Sequence, residues 1–240
     1  MSVPELPAGA ILDASAGAPH TTIDALAPGG SLLIVAPHPD DETFGCGMAL
    51  AAAAAKRRRI AIVLLTDGEG SHPNARTITP EELAVLRFGE FEAALAVLVP
   101  SQEIDVLRLR QPDGRTRYDP ALLEKVIPFA RERNVSAVWS TWQDDPHCDH
   151  ETAALLGRAV AHACAIPFWQ FAVWGRFGEG AVPSGLSIFD DPQTKTLKRE
   201  AIAAYKSQID PKAIDDPHGF VMPPALVSHF ADHPEVFISG

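Results

Sequence analysis

An α/β fold, with a mostly parallel sheet and helices on both faces, is predicted by three features of the sequence. Apolar runs of strand length alternate with segments of helical length from residue 31 onward. The runs are apolar at nearly every position, as strands buried on both faces are. Polar loops follow the runs, at the edge where open α/β sheets hold their ligands.

The elements follow in order. Residues 1–30 are rich in Pro, Gly, Ala and Ser and have weak periodicity, which predicts an arm or a short helix wrapping the domain. Residues 32–36 (LLIVA) form the first strand, a turn spans 37–42, and 43–56 form an alanine-rich helix. A second strand covers 60–65 and a polar loop 67–79. The helix at 80–98 opens with Pro80, Glu81 and Glu82, which suit a first turn. A third strand at 104–109, a Pro112-Asp113-Gly114 turn and a helix at 120–133 come next. Then follow a strand at 135–139, a polar loop at 140–150, a helix at 151–163 and a strand at 168–173. Residues 174–192 read as irregular, 193–207 as a helix, and the rest as a Pro-rich tail. The result is one Rossmann-like domain over 1–240: an arm at 1–30, a core at 31–210 and a tail at 211–240. Crossovers are expected to be right-handed.

Composition narrows the function classes. The chain has 240 residues, 46% of them hydrophobic and 21% charged, enough for a sizeable core without staples. With 20 Lys and Arg against 31 Asp and Glu, the net charge is −11, which argues against a nucleic-acid partner. The one basic run, Lys56 to Arg59, is expected to complement a helix C-terminus. Three cysteines are too few for a disulfide framework and point to the cytoplasm. No run of 18 apolar residues predicts an integral membrane segment, and the N-terminus lacks the pattern of a signal peptide.

Two loops carry the chemistry. After the first strand stand Pro37-His38-Pro39-Asp40-Asp41-Glu42, and after the fourth Asp144-Asp145-Pro146-His147-Cys148-Asp149-His150-Glu151. Adjacent carboxylates repel, so Asp40 and Asp41 need a cation or a solvated location. His38 and Asp41 are three apart at a strand-to-helix turn, and His147 and His150 are three apart at the mouth of a helix. Together the loops offer nitrogen and oxygen ligands that suit zinc with an open position for water, at the carboxyl edge of the sheet. Two histidines and a carboxylate also suit Fe²⁺.

The sequence His38-Pro39-Asp40-Asp41-Glu42, with the later His147-Cys148-Asp149-His150, resembles the PIG-L/LmbE-like family of zinc-dependent N-deacetylases. The likeness extends over about residues 31–210, through Thr66-Asp67-Gly68, Arg87-Phe88-Gly89-Glu90, Pro112-Asp113-Gly114 and Ser207-Gln208. It implies that His38, Asp41 and His150 hold the metal and that Asp40 is the general base. It implies that His147, protonated, stabilises the oxyanion and assists the leaving amine, and that Asp149 orients His147. Arg87 matches an arginine that holds the substrate. Asp113 is either a further substrate contact or a turn residue, and Trp142 is the tryptophan expected to stack on a sugar. Cys148 departs from the family pattern and is read as a bystander.

The implied activity is removal of an N-acetyl group from an amino sugar or glycoconjugate, a small-molecule substrate. Homo-oligomerisation stays open. Two alternatives are carried forward: another metal-dependent reaction on the scaffold, such as a hydratase, and a non-catalytic sugar- or nucleotide-binding module. The turn after the first strand lacks the Gly-x-Gly-x-x-Gly spacing of a dinucleotide site.

Overall fold

The computed structural model describes residues 6–100 and 102–240; the first five residues of the expected arm lie outside that range. The parallel strands are β1 (Ser31–Ala36), β2 (Arg59–Thr66), β3 (Asp105–Gln111), β4 (Ala137–Thr141) and β5 (Phe168–Phe171). Two further strands, β6 (Leu186–Phe189) and β7 (Glu235–Ser239), complete a seven-stranded sheet of order β3-β2-β1-β4-β5-β7-β6. β7 runs antiparallel to both β5 and β6. The order reverses between β1 and β4, which opens a crevice at their carboxyl ends.

Strand alternation sorts the core into two layers. Leu32, Ile34, Ile62 and Leu64 face one side, packed under α3 (Asp41–Ala55), α4 (Pro80–Leu98), α7 (Pro192–Ile202) and α9 (Pro224–Asp232). Leu33, Val35, Ala61 and Val63 face the other, under α5 (Leu123–Glu132) and α6 (Cys148–Cys164). Among the described residues no helix is long and apolar enough to cross a membrane.

The helix at 80–98 forms as read, with a reciprocal capping box between Thr79 and Glu82. Four readings differ. The arm holds two short helices, α1 (Ala10–Ser15) and α2 (Ile23–Leu26), and Asp24 takes the basic run as partner: Lys56 Nζ lies 2.7 Å and Arg58 Nη2 2.9 Å from its carboxylate. The segment 174–192 contains β6. The helix expected over 193–207 stops at Ile202 and resumes as a single turn, α8 (Lys206–Ile209). Lastly, the tail at 211–240 supplies α9 and the internal strand β7, so it belongs to the core.

β7 matters to α3. That helix is broken at Cys46 (φ −142°, ψ 25°). Glu235 of β7 accepts the N–H groups of Met48 (2.6 Å) and Ala49 (2.9 Å), capping the second half from within. Lys198 Nζ donates to Phe44 O and to Glu235 Oε1, both at 2.8 Å, closing the first half. A buried ion pair thus splices the helix whose first turn carries Asp41.

Candidate active site

The crevice at the β1/β4 switch is a cavity of about 440 Å³. His38, Asp40 and Asp41 enter it from the turn after β1 and His147 from the turn after β4. Asp113 comes from the loop after β3 and Arg87 from α4. His150 and Asp149 lie behind this surface, both buried in the first turn of α6. That helix starts at Cys148, three residues earlier than its composition suggests, because His147 caps it by accepting the Asp149 N–H.

Among the described residues, two sets of three donor atoms lie within 4.8 Å of one another: His38, Asp41 and His150, and His38, His147 and Asp149. The first fits a divalent cation better. His150 Nε2 is buried without a hydrogen-bond partner, 3.5 Å from Asp41 Oδ1. Leaving such an atom unpaired is unfavourable unless a ligand meets it. In the second set the Asp149 carboxylate is already engaged by Gly114 N (2.7 Å), Thr116 N (3.0 Å) and Thr116 Oγ1 (2.7 Å).

The electrostatics mark the same place. Burial acts to lower the pKa of His38, but Asp113 and Asp149 at 3.1 Å from Nε2, and Asp41 at 2.9 Å from Nδ1, raise it well above the usual histidine value. An imidazole that holds a second proton among three carboxylates reports a surplus of negative charge suited to a cation. Asp41 is held at about 2, because His150 and His38 outweigh its burial. Asp40 is raised to about 6 by burial, against the pull of Arg87. His147 falls to about 4 through burial and the neighbouring His38 and His150. Glu42 faces Thr43 and Tyr205 rather than the cavity, and burial raises it to about 8.

Several expectations need correction. Asp149 does not orient His147 through its carboxylate, which lies 4.0 Å from His147 Nδ1 and instead secures the 113–116 loop and His38. Burial and the neighbouring His38 and His150, which hold the His147 pKa at about 4, favour the neutral ring over the protonated one. Arg87 lines the cavity and does not pair with Glu90, three residues on; Nη2 donates to Asp40 Oδ2 at 2.8 Å and Nη1 to Gly68 O at 2.9 Å. Gly68 has φ +73°, and a Cβ there would come within 2.2 Å of the guanidinium, so that approach requires glycine. Glu90 receives Ser207 N and Oγ instead. Asp113 is more than a turn residue, since Oδ2 accepts the Gly70 N–H and Oδ1 reaches His38.

Trp142 is not at the cavity. Its side chain turns into a cluster with Ile11, Ala172 and Ile188, where Gly175 passes over the ring. Trp174 lines the cavity in its place, with Phe44, Val173, Gln208 and residues 218–222. Of these, Gln208 belongs to the Ser207-Gln208 match, and His218 stands out as a histidine beside glycine before an apolar stretch. The rest come from segments remote in sequence.

The family profile described as GlcNAc-PI de-N-acetylase (PIG-L) matches residues 33–161, just over half of the chain. The chain belongs to the PIG-L family. No curated protein matches it. A conserved protein from Thermus thermophilus is 25% identical with TM-score 0.64, over 87% of this PIG-L chain and 93% of its own. An N,N'-diacetylchitobiose deacetylase from Pyrococcus horikoshii is 18% identical with TM-score 0.62, over 75% and 71%. The 4-carboxy-2-hydroxymuconate hydratase of Pseudomonas putida is 21% identical with TM-score 0.62, over 75% and 80%. The last two share the fold of this PIG-L protein.

Proposed function

We propose that residues 1–240 act as one catalytic domain, a metal-dependent hydrolase that removes an N-acetyl group from an amino sugar or glycoconjugate. The observation that carries the reading is the unpaired, buried His150 Nε2 beside Asp41 and His38, with a separate carboxylate, Asp40, in the same cavity. Membership of a family described by GlcNAc-PI de-N-acetylase supports the reaction class.

His38, Asp41 and His150 would hold the ion, with zinc as the first choice and Fe²⁺ as the second. When bound, a divalent cation supplies a Lewis acid that polarises the amide carbonyl and makes water more acidic. Asp40 stands outside the ligand set, and Arg87 fixes its Oδ2 at 2.8 Å, so it can take a proton from water in the cavity. His147 Nδ1 accepts the Asp149 N–H, which leaves Nε2 to carry the ring proton. A neutral imidazole in that state donates from Nε2 to a developing oxyanion. The proton on Asp40 is then available to the departing amine, for which an anion is a poor leaving form. Trp174, Phe44 and Phe220 offer an apolar wall for the carbon face of a sugar. Cytoplasmic residence is proposed from the free thiols, the exposed Cys148 among them.

The test is incubation of zinc- or Fe²⁺-loaded protein with N-acetylglucosaminides, following acetate and free amine. Turnover that persists in both His38→Ala and Asp40→Asn would refute the mechanism. Because a hydratase shares the fold, the panel includes conjugated enol acids, whose loss of ultraviolet absorbance would favour water addition instead.

A further inference from the structure

Asp145 takes no part in the steps above, yet its carboxylate is engaged on both oxygens directly behind His150. Its Oδ2 accepts from His150 Nδ1 at 2.8 Å, from Val173 N at 3.1 Å and from Trp174 N at 3.3 Å. Its Oδ1 accepts from Gly175 N at 2.7 Å. The side chains of Asp145 and His150 are both fully buried. Four N–H groups therefore converge on a group that, ionised, only accepts.

We propose that Asp145 is a positioning residue: it fixes the tautomer and tilt of His150, so that the bare Nε2 faces the ligand set, and it ties that ring to the Trp174 wall of the cavity. The inference rests on the reading of His150 as a metal ligand. With Nδ1–H committed to Asp145, His150 has its lone pair on Nε2, the atom left unpaired 3.5 Å from Asp41 Oδ1. A carboxylate behind a ligating imidazole is a recurrent arrangement that orients the ring and raises its basicity.

The second half of the proposal follows from the other three donors. Val173 and Trp174 line the cavity, and their N–H groups end on the oxygen that holds His150. The backbone comes this close only because residue 175 is glycine: a Cβ there would stand 2.6 Å from Asp145 Oδ1 and 2.5 Å from the Trp142 ring. One carboxylate thus keeps ligand and wall in register. An amide at position 145 would turn an NH₂ toward N–H donors, with no acceptor to receive it.

The experiment begins with the wild type. Imidazole ¹⁵N spectra of the metal-free protein are expected to show His150 protonated on Nδ1 and bare on Nε2. Asp145→Asn and Asp145→Ala are expected to lose that signature. Competition against a chelator then measures zinc affinity, expected to weaken by about 10- to 100-fold in either variant that remains folded by circular dichroism. A wild-type His150 protonated on Nε2, a wild type that binds no zinc, or a folded Asp145→Asn with affinity within twofold of wild type overturns the proposal. The spectrum needs no variant, so a failure of both substitutions to fold leaves it decisive. Weakened zinc binding in the variants supports the assignment even if no N-acetyl sugar is hydrolysed, which is a failure of the hydrolase reading alone.

Discussion

Lys198→Met removes one member of the pair that splices α3. The side chains of Lys198 and Glu235 are fully buried, 2.8 Å apart. Methionine fills similar volume but leaves the Glu235 charge to the N–H groups of Met48 and Ala49 and to the field of the buried Arg176. Breaking a buried pair from one side destabilises by about 3–5 kcal/mol, because the remaining charge stays out of water. Glu235→Gln, which strands the ammonium beside Phe44 O, falls in the same range. Independent effects would sum to roughly 6–10 kcal/mol, but contacting residues couple by up to about 3 kcal/mol. The double variant removes both charges of the pair, and its amide oxygen still accepts a backbone N–H, so its loss should stay well below the sum. Urea titration at pH 7 reads this directly. With m near 3 kcal/mol per molar, each single substitution lowers the midpoint by roughly 1–1.7 M at unchanged m. A Lys198→Met protein within about 1 kcal/mol of wild type, or a strictly additive double variant, would refute the reasoning.

Three further outcomes are expected. Burial, with Arg176 nearby, lowers His229 to about 3, and its Nε2 has no hydrogen-bond partner. The unfolded chain then binds a proton that the folded one refuses, so stability falls as pH drops below about 6.5. His229→Asn should remove about 2 kcal/mol of the loss between pH 7 and 5 in urea titrations, and an unchanged slope would count against it. Trp142→Ala should destabilise by about 3–5 kcal/mol, as large-to-small core changes do, whereas Trp174→Ala should mainly raise KM; a melting-temperature and kinetic comparison that reversed the two would place the aromatic wall elsewhere. Gly45→Ala would set a Cβ 2.3 Å from the buried Phe171 ring, an overpacking of about 1–3 kcal/mol, and wild-type stability in that variant would show that the ring has room to move.

The legible parts of this protein are local ones. Runs such as residues 32–36 and 60–65 announce strands covered on both faces, and Thr79-Pro80-Glu81-Glu82 announces a helix start, because each signal lies within a few residues. The grouping of His38, Asp41 and His150 was implied only by the family resemblance; the fold brings them together because both loops end neighbouring strands at the switch point. The aromatic assignment was not legible. Trp142 and Trp174 both follow strands, and their directions depend on how the Asp145 turn packs against residues 173–175. Nor does composition separate the Pro-rich segment after 210 from a tail, since β7 becomes a strand only by pairing with β5 and β6. The partners of Arg87, Asp40 and Gly68, were not legible for the same reason, both being distant in sequence.

The splice in α3 also sets an order of events during synthesis. The turn bearing His38 and Asp41 emerges from the ribosome early, but the carboxylate that caps the helix behind it is residue 235. That carboxylate arrives on a strand inserted between β5 and β6, so β6 cannot join the sheet before residues 235–239 are made. A nascent chain or a fragment ending before Glu235 would hold every candidate metal ligand and still lack the frame that aims them. Competence to bind metal should therefore appear late, in one step with the completion of the sheet.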